Sequence, residues 1–185
     1  PERANDPLLI GWFIVNEPRY DELPRVIPSL DGKYACKREL VAALKAKYST
    51  AEAFNTAWQA KAASFDELID TGLAVTTDAA KADVKAFVGV FLDTYFTQIE
   101  KVFRQHDANH LLIGSRLQPI TIEDEQVCRI MGRHVDVVSY NYYTYGVDTA
   151  ALKRYHEWTG GKPMMLSEFF WASPKDSGLI GGREV

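Results

Sequence analysis

The 185-residue chain carries 21 Lys and Arg against 25 Asp and Glu, a formal charge of −4, and is 46% hydrophobic and 12% aromatic. Such a composition supports a folded core and excludes a disordered chain, and its mild acidity offers no basic surface for nucleic acid. No apolar run approaches the roughly 20 residues of a membrane helix, and Cys36 and Cys128 are too sparse for a disulfide framework, so they read as free thiols that leave the compartment open.

In chain order, residues 1–7 read as a loop entering mid-fold, so that further chain is expected upstream. Residues 8–15 form the first expected strand, apolar at nearly every position. A helical excursion over 34–107 follows. Its first helix covers 37–47, with Leu40, Val41 and Leu44 on one face; Ser49 or Thr50 caps a second that carries Phe54, Ala57 and Trp58. Ser64 caps a short third piece. A long helix then runs from Thr77 or Asp78 to His106, with an apolar face of Val84, Phe87, Val88, Phe91, Leu92, Tyr95, Ile99, Val102 and Phe103.

Strands are expected over 111–115, 135–141 and 164–167. They are separated by a helix over 123–131, opened by Thr121, and by another over 149–159, stopped by Gly160 and Gly161. Strands this uniformly apolar suit burial on both faces of a parallel sheet with helices outside. Alternating strands and helices define an α/β fold in one domain over 1–185. Residues 174–185 read as a long loop.

The chemistry lies at two strand ends. The first strand closes on Asn16-Glu17-Pro18 and the last on Ser167-Glu168-Phe169. Pro18 is expected to hold Glu17 in extended backbone angles. In α/β barrels the C-terminal strand ends carry the active site. Two carboxylates facing one another there suit glycoside hydrolysis. One protonates the leaving oxygen; the other attacks the anomeric carbon or activates water. A gap of roughly 5–5.5 Å gives retention and one of roughly 6.5–9.5 Å inversion. In the bland alternative, each glutamate pairs with a neighbouring arginine in an unrelated α/β domain.

Arg116 and Gln118 fall at the same edge, to bind sugar hydroxyls or hold a carboxylate, with a structural ion pair as the alternative for Arg116. Trp171 or Phe170 is placed to stack on a sugar ring. Trp12 reads as core, and Trp58 and Trp158 as helix packing. The four histidines have no ligand spacing, and neither a Gly-x-Ser-x-Gly elbow nor a phosphate-binding glycine loop is present. Neither a metal nor another cofactor is expected.

Asn16-Glu17-Pro18 on one strand and a later Glu-aromatic strand resemble the signature of the retaining (β/α)₈ glycoside hydrolases. The resemblance implies a partial barrel, strands four to seven, with the helical excursion after strand four. It implies that Asn16 binds the sugar 2-hydroxyl, that Glu17 is the acid/base with a raised pKa, and that Glu168 is the ionised nucleophile. It also implies that a tyrosine in Val137–Tyr143 contacts the nucleophile. Tyr143 is the choice, with Asn141 beside it, while Tyr140, Tyr142 and Tyr145 compete.

The runs Leu44-Lys45-Ala46-Lys47-Tyr48, Phe54-Asn55-Thr56-Ala57-Trp58 and Ser64-Phe65-Asp66-Glu67-Leu68 are similar to an excursion in family-42 β-galactosidases and in agarase-like relatives such as family 50. Asp176-Ser177-Gly178-Leu179 favours the agarase-like group. The resemblance therefore implies a β-galactoside or galactan as substrate. The rivals are another β-glycanase of the superfamily, a glucanase or mannanase, and a non-catalytic carbohydrate-binding barrel. A whole barrel takes about 250 residues, so the remaining strands are expected partners, without which the isolated chain should be inactive.

Overall fold

The computed structural model describes residues 2–143 and 146–169. In chain order these form β1 (Gly11–Trp12), α1 (Leu23–Ser29), α2 (Ala35–Tyr48), α3 (Ala51–Trp58), α4 (Asp78–His106), β2 (Leu111–Leu112), α5 (Pro119–Ile122), α6 (Glu125–His134), β3 (Val138–Asn141), α7 (Thr149–Trp158) and β4 (Met164–Glu168). Single 3₁₀ turns lie at Tyr20–Glu22 and Asp66–Leu68. The chain divides into two compact units, Pro1–Arg19 with Tyr95–Val185, and Tyr20–Thr94.

The first unit holds all four strands. β1 pairs parallel with β2, and β3 with β4. A parallel bridge from Leu117 to Tyr140 links the two pairs. The strands thus follow one another in sequence order, all parallel. β1 and β2 are shorter than the expected strands over 8–15 and 111–115, yet their backbones stay joined beyond them. Ile113 N donates to Trp12 O at 2.8 Å, Ile14 N to Gly114 O at 2.9 Å and Glu17 N to Arg116 O at 3.2 Å. The interruption falls at Gly114, whose φ of 77° breaks the strand conformation. β4 contains one bulge. Tyr140 pairs with Leu166 but Asn141 with Glu168, which leaves Ser167 as the extra residue.

Burial of β1 on both faces does not hold among the described residues. Leu8 is 91% and Ile10 69% exposed, and Trp12, Phe13 and Val15 are also exposed. β1 has a hydrogen-bonded neighbour on the β2 side, and no described strand pairs with its other edge. Trp12 is accordingly no core residue, and its indole Nε1 donates to Asp107 Oδ2 at 2.9 Å. In contrast, Val138, Ser139, Tyr140 and Asn141 are all buried. α6 begins later than expected and is capped by Asp124, which accepts from Gln126 N and Val127 N. Thr121 instead lies buried in α5. A Cβ on Gly132 would sit 2.3 Å from Thr159 O, so only glycine lets α6 approach that backbone. Gly160 and Gly161, at φ 72° and 79°, stop α7 as expected. Cys128 is a free thiol whose burial pushes its pKa up to about 12.

An ionic clamp closes the start of β2. His110 Nδ1 lies 2.7 Å from Asp107 Oδ2, and its Nε2 lies 2.9 Å from the Asp6 carbonyl oxygen. Both neighbours are acceptors, so the ring donates from both nitrogens as an imidazolium. The Asp6 carbonyl, then Asp107, raise its pKa. Burial pushes Asp107 up, but donation from Trp12 and His110 outweighs it and lowers Asp107 to about 2.

The second unit is helical. It begins earlier than the expected excursion over 34–107, because Pro24 in the first turn and Pro28 near the end of α1 are both accommodated there. Thr50 caps α3 by accepting from Ala53 N, as its sequence predicts. Leu40, Val41, Leu44, Phe54, Trp58, Phe65, Leu68, Val84 and Val88 are buried. Asp83 ties three of these segments together by accepting from Lys47 Nζ, from Tyr48 OH at 2.6 Å and from Trp58 Nε1 at 2.9 Å. Lys37 is fully buried, and its Nζ donates to Pro28 O and Thr71 O, each at 2.7 Å. Burial lowers its pKa to about 8. α4 begins in this unit and ends in the other. Its buried stripe includes Leu92 and Phe96, while Val102, expected inside, is 51% exposed because it falls off the line that Leu92 and Phe96 continue.

Two measurements test these stabilising groups. Asp83→Ala leaves a buried indole and a half-buried phenol without their acceptor and should cost about 3 kcal/mol in urea unfolding. For the clamp, a histidine pKa raised on folding stabilises fully below the unfolded value of about 6.5. That contribution is lost as pH rises through the folded value. Stability measured between about pH 5 and pH 9 should carry this loss in the native sequence and a smaller one in Asp107→Asn, which keeps the Asp6 carbonyl contact.

Candidate active site

Every described site residue belongs to the first unit. Glu17 follows β1, Arg116 and Gln118 follow β2, Asn141 ends β3, Tyr143 follows it, and Glu168 ends β4. Parallel strands in sequence order present all these C-terminal ends on one edge.

The two carboxylates share donors. Asn141 Nδ2 donates to Glu17 Oε1 at 2.7 Å and to Glu168 Oε2 at 3.3 Å. Tyr143 OH lies 2.5 Å from Glu168 Oε1 and 3.3 Å from Glu17 Oε1. The two Oε1 atoms therefore lie no farther apart than the sum of those phenol distances, so the carboxylates face one another at close range.

Arg116 and Gln118 divide between the acids. Arg116 Nη2 lies 2.5 Å from Glu168 Oε2, while Gln118 Nε2 donates to Glu17 Oε2 at 3.3 Å. The Arg116 guanidinium also covers the Phe13 ring at 5.5 Å. Its Nε is buried without a hydrogen-bond partner. Asn16 is exposed at the strand end and takes no part in this network.

Among the tyrosines, geometry separates the candidates. Tyr140 is buried and packs edge-on against Tyr142 and Tyr155. Tyr142 OH accepts from Asp148 N at 3.1 Å. Tyr143 alone of these three bonds the carboxylates, and burial followed by the Glu168 contact raises its pKa, so it remains a donor. Tyr145, Phe170 and Trp171 lie outside the described residues.

Two expectations about Glu17 need correction. Its φ is 50°, in the left-handed region rather than extended, and Arg116, whose carbonyl it contacts, has φ 42°. Such angles cost about 1–3 kcal/mol each and persist where surroundings enforce them. Here the Glu17 N–H bond to Arg116 O and the Arg116 N–H bond to Ser139 Oγ at 2.9 Å hold both. Nor is the Glu17 pKa raised. Donation from Asn141 outweighs burial and, with Gln118, Tyr143 and the Arg116 charge, holds it below the usual carboxylate range.

Ser139 and Ser167 were not anticipated as site residues. Both are hydroxyls in otherwise apolar strands, each one or two positions before a site residue, and that interruption is their signal. Among the described residues, no group of three His, Cys, Asp or Glu could hold a metal. No described helix is long and apolar enough to cross a membrane.

Arg116→Met should leave two negative charges sharing one amide. Carboxyl ¹³C titration is then expected to show the Glu17 midpoint rise, because the Arg116 charge that helps lower it is gone.

No protein-family model and no curated protein matches the sequence. Solved structures do. An agarase, AgWH50C, superposes with a TM-score of 0.79 at 27% identity, covering 95% of this chain and 26% of that one. PfGH50B gives 0.76 at 24% identity, covering 92% and 26%. An exo-beta-agarase gives 0.72 at 26% identity, covering 86% and 23%. The chain thus spans about a quarter of the length of the structures it resembles. Its fold is similar to part of agarase-type glycoside hydrolases, and nothing in these matches points to the family-42 group specifically.

Proposed function

We propose that this chain carries the carboxylate pair of a retaining β-glycosidase that cleaves β-galactosidic bonds of an agar-type galactan, within a (β/α)₈ barrel of which these are strands four to seven. The observation that carries this reading is the pair of carboxylates held by one amide and one phenol. Shared donors hold the two carboxylates close together, and close spacing suits direct attack by one of them rather than by an interposed water.

In this reading Glu168 is the nucleophile. Arg116 and Tyr143 bond its carboxylate and aim it. Glu17 donates a proton to the leaving oxygen and then takes one from water when the glycosyl-enzyme is hydrolysed. Its lowered pKa suits the second role directly. For the first it has a consequence in pH. A general acid must be protonated, so a lowered pKa moves the alkaline limb of kcat/KM downward and places the optimum on the acid side. Exposed Asn16 is left free for a sugar hydroxyl. Substrate class rests on the agarase neighbours.

Glu168→Ala should abolish hydrolysis of aryl β-galactosides and agar oligosaccharides by the full-length protein. Azide should restore turnover and give a glycosyl azide of inverted configuration. Unchanged turnover would remove Glu168 from the mechanism. One observation favours a non-catalytic carbohydrate-binding reading, namely Glu17 held ionised at rest. Oligosaccharide binding without any turnover in the native protein would select it.

A further inference from the structure

We propose that Ser167 is a positioning residue: its hydroxyl, placed by the β4 bulge, locks the Asn141 amide so that one Nδ2 holds Glu17 and Glu168 together. The catalytic consequence rests on the glycosidase reading above; the lock itself rests on geometry.

Asn141 is fully buried, so each polar atom of its amide needs a partner. The amide offers two N–H donors and one carbonyl acceptor. Both carboxylates lie on the Nδ2 side. On the other side, Ser167 Oγ lies 3.0 Å from Asn141 Oδ1 and 3.0 Å from Tyr140 O. Both are acceptors, so the hydroxyl hydrogen is shared between adjacent residues of β3. Turning the amide over would set Oδ1 against two carboxylates. Donation to Oδ1 also polarises the amide and strengthens the donation from Nδ2.

The bulge makes this possible. Side chains alternate between sheet faces along a strand, so in a regular ladder this sequence would set Ser167 opposite Asn141 and turn Glu168 away. With Ser167 inserted, Asn141 is paired with Glu168, and the serine hydroxyl reaches across to the β3 backbone. Both N–H groups of Asn141 face carboxylates. Its task here is to hold the acids.

The test compares Ser167→Ala with Ser167→Thr in the full-length protein. The Glu17 carboxyl is followed by ¹³C titration and assigned through Glu17→Gln. Ser167→Ala should raise the Glu17 midpoint by about half a unit to one unit, the size of one neutral hydrogen bond. The alkaline limb of kcat/KM on an aryl β-galactoside should move up with it. Ser167→Thr, which keeps the hydroxyl, should restore both. An unchanged midpoint in Ser167→Ala, or a shift that Ser167→Thr fails to reverse, would overturn the proposal. If native protein has no turnover but the titration shifts and reverses, the lock stands and the glycosidase reading falls.

Discussion

Two carboxylates that bond the same amide repel one another, and the strand ends are organised around offsetting that repulsion. At short range in a partly dry site, two like charges are costly unless donors and a cation surround them. Here Asn141 and Tyr143 serve both acids, Gln118 serves Glu17 and Arg116 serves Glu168. The arrangement explains why the strained φ of Glu17 and Arg116 is tolerated. The Glu17 N–H bond to Arg116 O and the Arg116 N–H bond to Ser139 Oγ hold the two backbones there.

Much of this was legible in the sequence. Apolar runs ending in Asn16-Glu17-Pro18 and Ser167-Glu168 located both acids, because a charge directly after an apolar run of strand length is unusual. The helices were legible from spacing and caps, as Thr50 and the Gly160-Gly161 stop illustrate. Strand lengths were less so. An apolar run gives no information on where a ladder breaks, and the break at Gly114 depends on a positive φ that composition alone does not announce. The extended angles expected of Glu17 failed for a related reason. Pro18 disfavours the right-handed helical region but does not choose between extended and left-handed backbone, and the Arg116 carbonyl does.

The lowered pKa of Glu17 was the least legible feature. A raised value is the expectation for a buried acid beside a like charge. The opposite follows from Asn141, whose donation is set by a hydroxyl from a neighbouring strand. In the helical unit a similar principle operates for stability. Asp83 is buried because lysine, phenol and indole donors converge on it, and Lys37 because two backbone carbonyls do. Neither set of partners is adjacent in sequence, so each reads only as an isolated charge on an apolar face.

The bulge in β4 bears on how this strand is compared with others or transplanted. Counting residues from the start of an unbulged strand would bring Ser167 to the position that Glu168 occupies, and a gapless alignment would name the wrong residue as reactive. Drawing the same sequence out as a regular ladder would preserve its hydropathy and its length, yet hand the pocket an alcohol in place of an acid. The inserted residue is therefore a phase marker. Any graft of this edge onto another scaffold has to carry the extra position along with the glutamate.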